Sequence, residues 1–230
     1  MEYMQTRSLV HIGCCITPHG LGHAARACAV MEALSRRIPV HYTIVSMAPA
    51  WFLTESLTAS YTLHPLQTDV GLVQYDALRE DLEQTLKALN AFFYPFQPEL
   101  LDQLAALFAD CQLVLCDIAP VGIAATSQAR KLYGAEVRSV LLENFTWDWI
   151  YQQYLTSHPE FTPFIHYLEQ LYSTADYHIQ AEPVCAPGGR SGSAAYRSCL
   201  PANTPSSQKV AWLIRKRAGR VGDNGWHCRN

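Results

Sequence analysis

The chain has 230 residues, 49% hydrophobic and 16% charged, with a net charge of −3. This is the composition of a globule large enough to bury a sizeable core. No apolar run reaches the roughly 18 residues needed to span a bilayer, and Met1-Glu2-Tyr3-Met4-Gln5-Thr6-Arg7 lacks the basic region and apolar core of a secretory signal. Eight cysteines occur without a C-x-x-C pair, and Cys14, Cys15, Cys28, Cys111 and Cys116 fall within apolar strand or helix patterns. They read as small core residues in a reducing compartment, so the expected location is cytoplasmic.

The pattern alternates strand and helix. A strand is predicted over 9–16 and a helix over 21–37, with Leu21, Ala25, Cys28 and Met31 on one face. Ile38-Pro39 closes that helix, because proline disfavours helix in the residue before it. A strand over 40–46, a short helix over 51–57 and a strand over 60–63 follow. Leu78, Leu82, Leu86, Leu89 and Phe93 recur at helical spacing, Tyr94-Pro95-Phe96-Gln97-Pro98 interrupts them, and Leu100, Leu104, Leu107 and Phe108 resume the stripe. Next come a buried strand over 113–116, a helix over 118–133 and a strand over 137–142. Helices near 149–154 and 164–172 and a last strand over 177–180 complete the body. Such alternation implies an α/β, doubly wound, parallel Rossmann-like sheet with right-handed crossovers.

The most informative segment is the first strand-to-helix turn, Thr17-Pro18-His19-Gly20-Leu21-Gly22-His23-Ala24-Ala25-Arg26. In such folds ligands bind beyond the carboxyl ends of the strands. Gly20 and Gly22 allow close backbone approach, and the following helix start favours an anion or a polarised hydroxyl. The dinucleotide fingerprint fails at its third glycine, where Ala25 stands, and the strand over 40–46 ends without the acidic ribose-binding residue. No Gly-Lys-Ser/Thr triplet is present. His19 and His23 are four apart, but Gly20 stands where a zinc protease needs glutamate, so no metal is expected. A structural turn whose histidines serve only as caps is the alternative.

His19-Gly20-Leu21-Gly22-His23-Ala24-Ala25-Arg26 resembles the "GHGxGHAxR" loop of GT-B glycosyltransferase-like proteins. These include the UDP-glycosyltransferase and MurG-type superfamily and the N-terminal domain of L-arabinokinase-like proteins. Cys116-Asp117-Ile118-Ala119-Pro120 resembles that family's strand-end "D-x-x-P" turn, and Asn144-Phe145-Thr146-Trp147-Asp148-Trp149-Ile150-Tyr151 is similar to its "NFSWDFIY" stretch. The resemblance covers roughly residues 8–182. It implies the N-terminal, acceptor-side domain of a GT-B fold, with a nucleotide-sugar donor and a hydroxyl acceptor as partners. It also implies no cofactor and a donor held chiefly by a second domain.

The strand-end rule gathers His19, His23, Asp117, Glu143 and Asn144. A histidine backed by a carboxylate is the usual general-base pair, so His23 with Asp117 is the first catalytic candidate and His19 the second. Gly20, Gly22, Arg26, Glu143, Asn144 and Trp147 are the candidate substrate-binding residues. Arg26 would hold an anionic acceptor or pair with a carboxylate, and Trp147 would stack on a sugar or base or belong to the core. Asp117 has a second reading as a cap for the helix starting near Pro120.

Charge divides the chain. Residues 1–182 carry 9 Lys and Arg against 19 Asp and Glu, whereas residues 183–230 carry 8 against 1. The later segment lacks sustained periodicity, and only Val210-Ala211-Trp212-Leu213-Ile214 looks locally orderable. The expectation is therefore one domain over 1–182 and a tail over 183–230 that does not pack on it. The tail reads as disordered, as out-of-frame or truncated sequence, or as a basic arm around Arg215-Lys216-Arg217, which is too small a patch for specific nucleic-acid recognition. Peripheral membrane contact stays open. A non-catalytic binding domain, or the domain preceding a sugar kinase, is the alternative to a transferase.

Overall fold

The computed structural model describes residues 9–92, 96–183, 185, 205–206 and 208–211. In chain order the elements are β1 (Val10–Ile16), α1 (Gly20–Ser35), β2 (Val40–Val45), α2 (Ala50–Ser56), β3 (Ser60–His64), β4 (Gln74–Asp76) and β5 (Arg79–Glu80). Then follow α3 (Leu82–Phe92), α4 (Pro98–Phe108), β6 (Leu113–Asp117), α5 (Pro120–Tyr133), β7 (Arg138–Glu143), α6 (Trp147–Gln152), α7 (Thr162–Ser173) and β8 (Tyr177–Gln180).

Six strands form one sheet in the order β3-β2-β1-β6-β7-β8, and every neighbouring pair is parallel. The direction of winding reverses between β1 and β6, which opens a crevice at their carboxyl ends. Register pairs Ile16 with Asp117 and Asp117 with Leu142, so the loops after β1, β6 and β7 rise from one level.

Both faces are buried, as a parallel sheet requires. Ile12, Cys14, Leu115, Leu142 and Ile179 point to the face covered by α1 and α2. Cys15, Val114, Cys116 and Leu141 point to the other, which α3, α4, α5, α6 and α7 cover. Alternation along each strand therefore decides which side of the crevice a strand-end side chain serves. Burial raises the thiol pKa of Cys14, Cys15 and Cys116, so they are core residues rather than nucleophiles.

Three expectations are corrected. The stretch before α3 is an antiparallel hairpin, β4–β5, and Leu78 is 91% exposed at its turn rather than on the buried helical stripe. Asp81 starts α3 instead, its Oδ1 accepting the Gln84 N–H at 2.9 Å. The helix after β6 begins at Pro120, because Ile118 takes φ 44° and leaves the helical region. Beyond residue 182, Val210 and Ala211 are buried in the α1-side core, so the expectation of a tail wholly off the domain fails at that segment. Trp212-Leu213-Ile214 and Arg215-Lys216-Arg217 lie outside the described residues.

The amino-terminal ends of β7 and β8 are tied by Asp176, which pairs with Arg130 and Arg138 and accepts the Ser139 N–H at 2.9 Å. Burial alone would raise this carboxyl, but the Ser139 N–H and Arg138 outweigh it and hold the carboxyl below its ordinary value. A depressed carboxylate stabilises the fold above the unfolded-state value of about 3.9 and loses that contribution as pH falls through the folded value. Asp176→Asn is expected to lower stability by about 1–2 kcal/mol at neutral pH, with the deficit shrinking in acid. Urea unfolding across pH measures it, and a pH-independent deficit would contradict the assignment.

Candidate functional site

The site lies in the crevice between β1 and β6. Asp117 ends β6 on the α1 side of the sheet, and its carboxyl is 2% exposed. Two α1 side chains meet it. His23 Nδ1 lies 2.9 Å from Asp117 Oδ1. Arg26 donates from Nε to Oδ2 at 2.8 Å and from Nη2 to Oδ1 at 2.5 Å, a bidentate pair. Arg26 Nη1 also donates to Asn144 Oδ1 at 2.6 Å, joining the loop after β7 to the same cluster.

An ionised Asp117 can only accept, so its 2.9 Å contact assigns the His23 proton to Nδ1, although Arg26 Nη2 also lies 3.2 Å from that nitrogen; Nε2 makes no hydrogen bond to the described residues. Phe145 meets the ring edge-on at 5.7 Å and limits its rotation. The left-handed Ile118 is what turns the chain from β6 into α5 on the opposite face while Asp117 stays aimed at α1. A β-branched residue there costs about 1–3 kcal/mol. It is held by its N–H bond to Leu142 O (3.1 Å) and by the Tyr172 hydroxyl on its carbonyl (2.8 Å).

His19 precedes α1, and Gly20 follows it with φ 69°. No side chain caps the α1 N-terminus and no acidic residue occupies its first turn, so its backbone donors around Gly20 and Gly22 remain available. His19 Nε2 is buried without a hydrogen bond and lies 3.7 Å from Asp69 Oδ1. Asp69 is fully buried, accepting from the Thr17 hydroxyl and from the Trp147 indole N–H, each at 2.9 Å. Burial pushes its carboxyl up, while His19 and those two donors work in the opposite direction. Gly71, at φ 60°, is the one residue type that fits beneath the imidazole, since a Cβ there would lie 2.0 Å from Nε2.

Thus the structure brings together His19, His23, Arg26, Asp117 and Asn144, with Gly20 and Gly22 at the helix start. It does not bring Glu143 to them. Glu143 shares a face with Leu141, opposite Asp117, and is bonded at 2.5 Å to His178, a strand histidine that no motif singles out. Arg26 is committed to Asp117 and Asn144 rather than held ready for an anion. Trp147 is 4% exposed, with its indole on Asp69 and its ring stacked on Tyr151, so it is no open platform. Asp117 is not the α5 cap, which is Ala119. Asp69 was missed because it sits in the loop after β3, where no periodicity marks burial.

Solved structures match this fold. A UDP-glucosyltransferase from Polygonum tinctorium aligns over 91% of this chain and 57% of its own, at 13% identity and TM-score 0.51. UGT2 of Phytolacca americana, solved with UDP-2fluoro-glucose and pterostilbene, aligns over 92% of this chain and 58% of its own, at 15% identity and TM-score 0.50. The fold is therefore a Rossmann-like domain of GT-B type, and the chain spans little more than half the length of those enzymes. In sequence, L-arabinokinase of Arabidopsis thaliana is 32% identical over 146 residues, 61% of this chain but 13% of that protein. No family model matches the chain. Among the described residues, no helix is long and apolar enough to cross a membrane.

Removing Arg26 leaves the buried Asp117 carboxylate without its counter-charge. Arg26→Met is expected to cost about 3–5 kcal/mol in urea unfolding, and adding Asp117→Asn should recover much of it. A single-variant loss under about 1 kcal/mol would place the pair with weak surface bridges and remove this account.

Proposed function

We propose that residues 1–182 form the acceptor-side domain of a sugar-transferring protein, with His23 as the general base toward an acceptor hydroxyl. The observation that carries this reading is the contact of His23 Nδ1 with the buried Asp117 carboxylate, while Nε2 makes no hydrogen bond among the described residues and would be the nitrogen that takes the proton. A hydroxyl proton passes to Nε2 as its oxygen attacks the sugar's anomeric carbon and the nucleoside diphosphate departs. Asp117 then stabilises the imidazolium. Asp117 is a positioning residue, since it touches the ring and not the substrate. His19 is the second candidate for the base.

A UDP-sugar donor would meet the α1 N-terminus around Gly20 and Gly22. Arg26 cannot serve the diphosphate without abandoning Asp117 and Asn144. The described residues thus supply an acceptor wall and only a partial anion site, and the 230-residue chain alone is expected to bind UDP-sugars weakly and to turn none over. The buried thiols fit a reducing, cytoplasmic setting.

One observation favours a second reading. The L-arabinokinase similarity covers 13% of that protein, so this domain would bind a sugar without transferring it, beside a kinase unit.

NMR of the imidazole resonances during titration with hydroxyl compounds and with UDP-glucose tests the site. Hydroxyl compounds are expected to move the His23 signals, and UDP-glucose to act only at high concentration. Micromolar UDP-glucose binding, or turnover by this chain, would overturn the partial-site reading. Where a fused donor domain restores transfer, His23→Ala should slow it by about two to four decades. Near-normal rates would leave the loop a structural turn and favour the binding-domain reading.

A further inference from the structure

The base mechanism uses His23 and Asp117 and gives Arg26 no part. Yet Arg26 touches both. Its Nη2 lies 2.5 Å from Asp117 Oδ1 and 3.2 Å from His23 Nδ1, while His23 Nδ1 is 2.9 Å from the same Oδ1. Arg26 Nε takes the second carboxylate oxygen at 2.8 Å, so the guanidinium holds both. One carboxylate oxygen is thus shared between a guanidinium and an imidazole. The side chains of Asp117, His23 and Arg26 are 2%, 13% and 19% exposed, which leaves little water to screen their charges.

The electrostatic consequence follows from these distances. A carboxylate alone beside the ring favours a proton on it, as in any histidine–carboxylate pair. A fixed positive charge disfavours that proton, and here the two opposite charges stand at nearly equal distance from Nδ1. Their effects on an added proton largely cancel. Asp117 keeps its hydrogen bond, which orients the ring, and loses most of its pull by charge. The other groups around His23 are few. Asn144 and Phe145, from the loop after β7, are neutral. Asp69, after β3, acts on His23 by charge alone, is itself met by Thr17, Trp147 and His19, and is unchanged by substitutions at Arg26 and Asp117.

The fold also contains a pair without an arginine. Glu143 meets His178 at 2.5 Å, and no arginine or lysine is bonded to Glu143 among the described residues. The cation is therefore an added feature of the His23 pair, and burying a histidine beside a carboxylate does not require it. A base that already holds a proton cannot accept one, and it works best when its proton affinity matches the working pH. Resting on the reading that His23 takes the acceptor's proton, we propose that Arg26 is a positioning residue for that base, acting through Asp117. By holding both carboxylate oxygens it offsets the charge that would otherwise load the ring with a proton before the hydroxyl arrives. Asp117 still steadies the imidazolium through the Nδ1 hydrogen bond, and Arg26 keeps that state from becoming a trap.

The test is a pH titration of the imidazole NMR signals of the 230-residue chain and its variants, with phenol as the hydroxyl probe. Arg26→Gln is expected to raise the protonation constant of His23 about ten-fold, since Asp117 then acts unopposed. The double variant Arg26→Gln with Asp117→Asn removes both charges and should return that constant to within about three-fold of the unaltered chain. It carries the test if Arg26→Gln does not fold, because it leaves no buried charge unpaired. No rise in Arg26→Gln, or a fall of about ten-fold in the double variant, would overturn the proposal, the fall being what loss of an unopposed carboxylate gives. Where phenol still moves the His23 signals, either result leaves the acceptor-side reading in place. Titrations as expected with no response to phenol would overturn that reading and the role that rests on it.

Discussion

A carboxylate buried at the end of a parallel strand has to be met by positive charge or by several donors, and this end of the molecule is arranged around meeting that demand at Asp117. Desolvation makes the group expensive unless it is paired. Arg26 supplies the charge in a bidentate geometry, His23 supplies a further donor, and Asn144 fixes the remaining side of the guanidinium. The pairing links α1, β6 and the loop after β7, three segments that the sheet alone brings only to the same level. It also depends on α1. Residues at positions 23 and 26 share a helical face because both lie within the first turns of α1.

The same pairing decides what the crevice can hold. Arg26 would be the obvious partner for a phosphate, but its donors are already taken by Asp117 and Asn144. What remains at this end is the His23 imidazole, the Asn144 carboxamide and the backbone N–H groups at the α1 start. Such groups suit hydroxyls, whose desolvation is modest, better than a diphosphate, which loses far more hydration and would find Arg26 already paired. The strained Ile118 fits this picture. Strain of that kind persists where the surroundings over-determine it, and here a hydroxyl and a backbone bond hold a turn whose effect is to aim Asp117 at α1 rather than let it cap α5.

The parts of this arrangement that rest on periodicity were legible in the sequence. The apolar runs at 9–16, 113–116 and 137–142 are buried strands, and their alternation with helices predicts the parallel sheet and the switch point that places His23 near Asp117. What was not legible lies where burial leaves no period. The hairpin β4–β5 is short and exposed, so Gln74, Tyr75 and Asp76 carry no alternating signal, and Leu78 passes for the start of a helical stripe. Asp69 sits in an irregular loop, and only the fold reveals that Thr17, Trp147 and His19 surround it. Its place at a strand end points Glu143 to the crevice. The one-residue alternation of a strand puts it on the other face, with His178.

Trp147 shows how one residue joins these two levels. Its motif, Asn144-Phe145-Thr146-Trp147, reads as an aromatic wall for a ligand, and a buried tryptophan reads as core. The structure makes it both a core residue and a determinant of the site. Its ring packs against Tyr151, itself stacked on Phe161, in the helical layer behind the sheet, while its N–H reaches forward to Asp69. Asp69 in turn faces His19, on the loop that begins α1. The position of the crevice histidine is therefore set from the far side of the domain, through a stack of buried rings that cannot shift by fractions of an ångström without losing contact. Loop residues in α/β domains are usually free to vary their placement because they lie at the surface. Here the segment carrying His19 and His23 is tied to two buried carboxylates, to Asp69 through the Thr17 hydroxyl and to Asp117 through His23 and Arg26.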